Sequence, residues 1–180
     1  MGQGLYQGLP TLEAFADHYS FFDPRRSISR EEQLRRINWP YLVRRAQEIR
    51  ESASSYRNFR VGCAIWAFKT NAICVEERWS LFTGSNIKVA KDARPVCAEQ
   101  FALGAAKSAG YDTIITMVVV GEPQPDTRGK FPKTLHPCEE CRRIFQTVPE
   151  IKPDTILLML TPDGKTYEEF LMKEFQKRYR

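Results

Sequence analysis

The chain has 180 residues, of which 42% are hydrophobic, and a formal net charge of +5. This length and composition suit one soluble globular domain and exclude the disordered and fibrous classes. No apolar run approaches the roughly 20 residues of a membrane-spanning helix, and the N-terminus lacks a secretory or myristoylation pattern. The sequence therefore predicts a cytoplasmic protein, in which thiols stay reduced.

The positive charge, with a sequence pI of about 9.0, raises the question of nucleic-acid binding. The basic residues are scattered among glutamates rather than gathered in one block. The aromatic residues do not cluster among them as a base-stacking surface would require. A nucleic-acid partner stays open on these grounds but is not favoured over a solvated basic surface.

The first half of the chain is predicted to form amphipathic helices followed by two strands. Apolar residues recur at helical spacing, Ser29 and Glu32 form a capping-box pattern, and Pro40 suits a first helical turn. In chain order the elements are a helix over residues 11–19, a short helix after Ser29, a helix over 38–53, a strand over 60–68 and a second strand within 71–87.

The second half alternates helices with strands. Its predicted elements are a helix over residues 94–110, a strand over 113–120, a Pro/Gly-rich loop over 121–134, a helix over 137–148, a strand over 155–161 and a C-terminal helix that starts at a capping box of Thr166 and Glu169. The last two strands are continuously apolar, which is typical of strands covered on both faces. This order predicts an α/β fold, a three-layer α/β/α sandwich with a mixed, mostly parallel sheet.

The cysteines are the first chemical signal. There are five of them, Cys63, Cys74, Cys97, Cys138 and Cys141. An odd number at uneven spacing is a poor disulfide framework, which leaves metal binding or burial as their uses. Cys63 and Cys74 lie in apolar segments and are predicted to be buried. A lone C-x-x-C pair is equally compatible with a redox couple, half of a zinc site, or two buried thiols.

Cys97 and the Cys138/Cys141 pair each stand at the start of a predicted helix that follows a strand. In an α/β sheet such helix starts gather at one edge, and their dipoles favour thiolate over thiol. Three thiolates would leave the fourth tetrahedral position of a zinc ion open, which is the pattern of a catalytic site. Glu99, close after Cys97, could then serve as a general base, provided that Cys97 precedes regular helical geometry.

Two motifs resemble those of a known family. "PVCAEQ" and "HPCEEC" resemble the C-A-E and P-C-x-x-C signature of the cytidine deaminase and blasticidin-S deaminase family, and the resemblance runs from Leu42 to Gly164. It implies a cytidine deaminase-like zinc domain over residues 37–180. Residues 1–36 have no counterpart in the minimal enzymes and form an N-terminal extension that packs on or near the domain.

The resemblance also implies roles for individual residues. It makes Cys97, Cys138 and Cys141 the Zn²⁺ ligands and Glu99 the proton shuttle of a hydrolytic deamination at C4 of a cytosine nucleoside, which releases ammonia. The substrate would be cytidine, deoxycytidine or a modified nucleoside such as a blasticidin-type compound. The implied substrate contacts are the Ala98 backbone N–H at the ring carbonyl, Phe59 at the pyrimidine and Asn86 at the sugar. Phe59 as ordinary core and Asn86 as a turn residue stay open as alternatives.

The chain departs from the family at two positions. Lys88 replaces a glutamate that shares the sugar hydroxyl, so an anionic or modified substrate is favoured unless a protein carboxylate such as Asp92 pairs with the lysine. Gln100 replaces an arginine that offsets the charge of three thiolates. Arg142 is the best candidate for that compensating charge, with Arg94 and Arg143 next. His136 is assigned to the wall of the site, because a fourth protein ligand would close the catalytic position.

Two other functions compete with a nucleoside deaminase. One is a deaminase or binder of cytosine in nucleotides or in RNA or DNA. The other is a zinc module without activity, against which the unliganded carboxylate of Glu99 argues. The family resemblance further implies a homo-oligomer, a tetramer or a dimer, because related short enzymes complete their sites with neighbouring subunits.

Overall fold

The structure, a computed structural model, describes residues 29–74, 76–125 and 129–179. The helix predicted for residues 11–19 lies outside these residues. The elements in chain order are α1 (Arg30–Arg35), α2 (Trp39–Arg50), β1 (Ser54–Ser55), β2 (Val61–Phe68), a 3₁₀ helix (Glu76–Arg78), β3 (Trp79–Ser85), β4 (Ile87–Lys88), α3 (Ala98–Ser108), β5 (Thr113–Gly121), α4 (Glu139–Thr147), β6 (Ile151–Leu160), β7 (Tyr167–Leu171) and α5 (Met172–Arg178).

The first two helices begin where the sequence predicts. The Ser29 side chain accepts a hydrogen bond from the Glu32 N–H, and the Asn38 side chain accepts one from the Tyr41 N–H. These N-caps satisfy amide groups that a helix start leaves without an intrahelical partner. Within the described part of the N-terminal extension, Leu34 packs against the core. The domain boundary after residue 36 stays a prediction.

Five strands form the main sheet in the order β3-β2-β5-β6-β7, and β1 and β4 form a separate parallel pair. The predicted mixed sheet is confirmed, but the expectation that it is mostly parallel is wrong. Within the five-stranded sheet only β5 and β6 pair in parallel, whereas the other three pairings are antiparallel. The reason lies in the connections, since only a crossover through a helix such as α4 returns the chain in the same direction.

Helices cover both faces of the sheet, which confirms the three-layer sandwich. Along β2, Cys63 and Ile65 belong to the core under α3, α4 and α5, while Ala64 and Phe68 belong to the core under α2. Successive strand residues point to opposite faces, so a continuously apolar strand serves two cores at once. Gly62, also in β2, allows α2 to approach closely, because a Cβ atom there would lie 2.0 Å from the Ala46 oxygen.

The C-terminal region differs from the prediction. The capping box of Thr166 and Glu169 does not start a helix; the residues from Tyr167 to Leu171 form β7, and α5 begins only at Met172. Pairing with the exposed side of β6 supplies β7 with backbone hydrogen bonds, and this tertiary contact overrides the local capping pattern.

The two remaining predictions concern burial. Cys63 is completely buried, as expected, but Cys74 is only half-buried and lies in a bend between β2 and β3 rather than in a strand. Across the described ranges, none of the helices combines the length and the apolar character that would let it cross a membrane.

Candidate active site

The two helices that carry the candidate ligands start at the same edge of the sheet. At this edge β2 begins while β3 and β5 end, as the pairs Gly62↔Ser85 and Val61↔Gly121 show. Cys97 is the N-cap of α3 and Cys138 is the N-cap of α4, and both have extended backbone angles. The expectation that Cys97 precedes regular helical geometry is therefore confirmed.

Backbone contacts with the sheet hold the start of α3. Gly84 in β3 lies so close to the helix that a Cβ atom there would be 2.4 Å from the Ala98 oxygen. Ile87 and Val96 exchange two backbone hydrogen bonds of 3.0 and 2.9 Å, immediately before Cys97. These contacts fix the first ligand relative to the strand segment around Asn86.

The side chains of Cys97, Cys138 and Cys141 come together as the sequence predicts. Their sulfur atoms all lie within 4.8 Å of one another, and those of Cys97 and Cys138 are 3.4 Å apart. Three thiolates bound tetrahedrally to one zinc ion, each at about 2.3 Å, would have sulfur atoms about 3.8 Å apart. The cluster therefore fits a zinc ion with only small side-chain adjustments.

The three thiols differ in acidity because they hydrogen-bond to one another. Bonds from the Cys141 and Cys97 thiols, together with backbone N–H groups at the start of α4, lower the pKa of Cys138 to about 2. The bond to Cys138 is the main cause that raises the pKa of Cys97 to about 12, and the pKa of Cys141 is raised for the same reason. The cluster readily holds one thiolate, and a cation is needed to stabilise three of them.

Glu99 lies beside the cluster in the first turn of α3. Its side chain is buried, and Cys138 is near enough to repel its charge. Burial is the main cause that raises the pKa of Glu99 to about 7, and the charge of Cys138 adds to it. A carboxyl group that is buried next to three sulfur atoms can exchange protons with a molecule bound at the cluster.

The residues predicted to contact the substrate surround the same edge. Ala98 is completely buried at the first position of α3, and Phe59 is half-buried against the core that contains the ligand helices. The Asn86 amide is engaged with the backbone: it donates to the Phe59 carbonyl at 2.9 Å and accepts from the Val61 N–H at 2.6 Å. Asn86 thus connects the approach to β2 with the strand segment before Cys97.

Lys88 lies two residues after Asn86, in β4. Its Nζ atom is 5.8 Å from the centre of the Tyr56 ring, and the Arg57 guanidinium carbon lies 5.3 Å from the same ring centre. Among the described residues Lys88 has no ion pair with a carboxylate, so the structure does not show the suggested pairing with Asp92. Two cations flank one half-exposed tyrosine near the sugar end of the predicted site.

Comparison with known proteins decides the family. The sequence profile described as "Cytidine and deoxycytidylate deaminase zinc-binding region" matches residues 38–153, well over half of the chain. The chain belongs to this family. Its cofactor is zinc, for which Cys97, Cys138 and Cys141 form a suitable cluster.

Solved structures support the fold. A cytidine deaminase from Burkholderia pseudomallei has a TM-score of 0.59 at 23% sequence identity, over 77% of this chain and 95% of that one. A cytidine deaminase from Mycobacterium leprae has a TM-score of 0.49 at 21% identity, over 77% and 97%. The first of these likenesses shows that the chain has the cytidine deaminase fold, in agreement with the resemblance of its motifs.

The structure shows which contacts are made by Gln100, where the family commonly has an arginine, and by the arginines that could compensate for it. Gln100 accepts a hydrogen bond from the Cys97 backbone N–H at 3.4 Å, and thus helps to cap α3. Arg142 donates to the Pro137 carbonyl at 2.9 Å and stacks on Tyr179, while Arg143 pairs with Glu139. Both arginines thus have partners other than the three sulfur atoms, and Arg94 is exposed.

His136 also lies next to the ligand turn rather than in the sulfur cluster. Its Nδ1 atom bonds to the Tyr179 hydroxyl, and its Nε2 atom is 2.9 Å from a Glu168 carboxylate oxygen. The sequence motifs do not indicate a role for Tyr179 or Glu168. Both are distant in sequence from the cysteine motifs, and no spacing pattern could have connected them.

Proposed function

We propose that this chain is a zinc-dependent hydrolase that deaminates C4 of a cytosine nucleoside. The observation that carries the proposal is the position of Glu99, a buried carboxylic acid in the first turn of the helix that Cys97 caps, near the three sulfur atoms. A zinc site that only stabilises the fold has no use for a buried carboxylate of this kind, whose burial is costly. A deaminase needs it to transfer protons.

The residues of the chain divide the chemistry as follows. Cys97, Cys138 and Cys141 would hold the zinc ion, which would lower the pKa of water toward about 7. Glu99 accepts a proton from that water and delivers it to ring N3 while the new C4–O bond forms. Glu99 then transfers the second proton of the added water to the exocyclic amino group. The C4–N bond breaks, ammonia leaves, and the C4 carbonyl of a uracil ring remains.

Substrate orientation is assigned to the residues at the sheet edge. The Ala98 N–H is free of intrahelical partners by its position in the first turn and can donate to the ring carbonyl. Phe59 offers an apolar face to the pyrimidine. Asn86 already bonds to Phe59 and Val61, and its amide keeps one lone pair and one hydrogen with which to bond a sugar hydroxyl.

The replacement Glu99→Gln tests the proposal, because the amide keeps the shape of the side chain but cannot carry a proton. Ammonia release should be measured with cytidine, deoxycytidine, CMP, blasticidin S and adenosine. Turnover of the best substrate should fall by at least about 10²-fold with zinc content unchanged. Glu139→Gln is the matched control, an exposed first-turn glutamate of α4 that should leave turnover intact. Undiminished activity of Glu99→Gln would reject Glu99 as the shuttle.

A second candidate is a cytosine substrate with a negative group, such as a nucleotide. Lys88 and Arg57 place two positive charges on one tyrosine, and Lys88 has no carboxylate partner among the described residues. A phosphate or carboxylate on the substrate would supply that partner. The replacement Lys88→Glu should therefore raise the preference for cytidine over CMP, as the ratio of kcat/KM values.

The expected change is at least ~2 kcal/mol, or roughly 30-fold, because a charged hydrogen bond of ~1.5–3 kcal/mol is made in one protein and opposed in the other. Lys69→Glu is the matched control, since its Nζ atom also lies 5.8 Å from a tyrosine ring centre but at the opposite edge of the sheet. An unchanged ratio in Lys88→Glu would leave a neutral nucleoside as the substrate.

The chain is further proposed to act as a homo-oligomer in the cytoplasm. In support, three apolar side chains near the start of α3 are about two-fifths exposed: Ile87, Val96 and Phe101. Association of copies through this region would remove that apolar surface from water. Light scattering should give a mass of two or four chains, whereas a mass of 20.8 kDa at working concentration would reject self-association.

A further inference from the structure

A tyrosine near the C-terminus contacts both ends of the ligand turn that carries two cysteines. Before the turn, His136 bonds to the Tyr179 hydroxyl through Nδ1. After the turn, the Arg142 guanidinium carbon lies 4.5 Å from the centre of the Tyr179 ring. One side chain thus joins the residue two positions before Cys138 to the residue directly after Cys141.

The two contacted residues are themselves held in place. Arg142 reaches back across the turn and donates to the Pro137 carbonyl at 2.9 Å. The second ring nitrogen of His136 lies 2.9 Å from Glu168, and the same carboxylate oxygen accepts the Thr134 hydroxyl at 2.7 Å. The His136 side chain is only 10% exposed. A buried polar network in which each member has its partner makes a local structure rigid.

The contact is significant because it adds polar bonds to the apolar packing of Leu135, Cys141 and Phe145, at a turn that follows a long connection. β5 ends at Gly121 and α4 begins at Glu139, so a long connection precedes the Cys138 ligand. Confining such a segment to one conformation costs conformational entropy for each residue that is fixed. A turn that is already confined before metal binding avoids that cost when the ion arrives.

We propose that Tyr179 is a positioning residue for zinc: it holds the Cys138–Cys141 turn in the ligating geometry through His136 and Arg142. Tyr179 does not touch the substrate or the metal in this role. The inference rests on the proposed function only in that the three cysteines bind zinc, which the loss of zinc from Cys138→Ser tests separately. Partners outside the coordination sphere orient the ligands, and their loss typically weakens metal affinity by about 10–100-fold.

The experiment measures zinc affinity by competition with a chromogenic chelator, so that no catalytic activity is needed. Tyr179→Leu removes both contacts and should weaken zinc binding by about 10-fold. Tyr179→Phe removes only the hydroxyl group that bonds to His136 and keeps the ring under Arg142, so its affinity should lie between those of Tyr179→Leu and the wild type.

Two controls separate positioning from a general loss of stability. Tyr41→Leu also removes a tyrosine ring that contacts an arginine, since the Arg44 guanidinium carbon lies 5.6 Å from the ring centre. Tyr41, however, belongs to α2 on the other face of the sheet. Met172→Ala weakens the packing of α5 without removing a polar contact. Both should keep the wild-type zinc affinity. The proposal would be overturned if Tyr179→Leu kept the wild-type zinc affinity, or if Met172→Ala lost as much zinc affinity as Tyr179→Leu. If Tyr179→Leu does not fold, wild-type zinc affinity in Tyr179→Phe would overturn it.

Discussion

The helices α3 and α4 present their cysteines in the same way but are supported differently. Each begins on a cysteine with an extended backbone. The start of α3 is held by main-chain contacts, namely the close approach of Gly84 and the bridge between Ile87 and Val96. The start of α4 is held by side chains of the C-terminal segment, through Tyr179.

This difference predicts which amino-acid substitutions each helix start tolerates. A main-chain contact survives most side-chain replacements but fails when an added Cβ atom pushes the two segments apart. A side-chain network fails when a single polar group is removed, because its partners are left unsatisfied. The site should therefore lose its first ligand through steric changes and its other two through polar ones.

The largest effect is expected where the two helices act together, on the metal itself. The wild-type protein should contain about one zinc per chain, and Cys138→Ser should lose it on desalting, because a neutral hydroxyl group is a poor replacement for a thiolate. Cys97→Ser should lose it equally if both helices contribute to one centre. Cys74→Ser is the control, a half-buried cysteine outside the cluster. Full zinc content in Cys138→Ser would show that Cys138, at the start of α4, is not a zinc ligand.

The steric side of the comparison is tested at two glycines. A Cβ atom at Gly84 would lie 2.4 Å from the Ala98 oxygen, so Gly84→Ala must displace α3 and should cost at least roughly 1–3 kcal/mol of unfolding free energy. Gly104 lies within α3 and has open space around it, so Gly104→Ala should instead stabilise the protein by about 0.5–1 kcal/mol. Urea denaturation measures both. Equal effects would show that α3 does not depend on close contact with β3.

The smallest effect is expected for the polar network that supports the start of α4, and it depends on pH. Burial raises the pKa of the Glu168 carboxyl, but hydrogen bonds from Thr134 and His136, with the charge of Arg178, outweigh it and leave the pKa below its ordinary value. As the pH falls, the Glu168 carboxyl therefore binds a proton in the unfolded chain before it does so in the folded protein. The stability that Glu168 contributes is present above the ordinary carboxyl pKa of about 4.3 and is lost as the pH falls below it.

The replacement Glu168→Gln should therefore lower the unfolding free energy by about 1 kcal/mol at neutral pH. The gap to the wild type should close as the pH falls below the ordinary carboxyl pKa. Denaturation curves at several pH values give this difference directly. A gap that stays constant down to acidic pH would mean that the Glu168 charge does not support the ligand turn.

The cysteine motifs of the candidate site could be predicted from the sequence because the information within each motif is local. A thiol two residues before a glutamate, at the start of a helix, specifies the relation of Cys97 to Glu99 without reference to the rest of the chain. The cap residues Ser29 and Asn38 likewise act within one helical turn. The continuously apolar strands β5 and β6 indicate burial on both faces.

Only the tertiary structure decided the features that depend on distant partners. Strand direction follows from how each connection crosses the sheet, so the mainly antiparallel pairing is not visible in any single segment. The segment that starts at Tyr167 forms a strand because β6 offers it a free edge, despite a local pattern for a helix. Tyr179 reaches His136 across 43 positions of sequence, and a side chain brought in by packing leaves no periodic or spacing signal. Local hydrogen bonding determined the helix starts, whereas long-range packing brought Cys97 to the Cys138/Cys141 pair and determined what holds the second ligand helix in place.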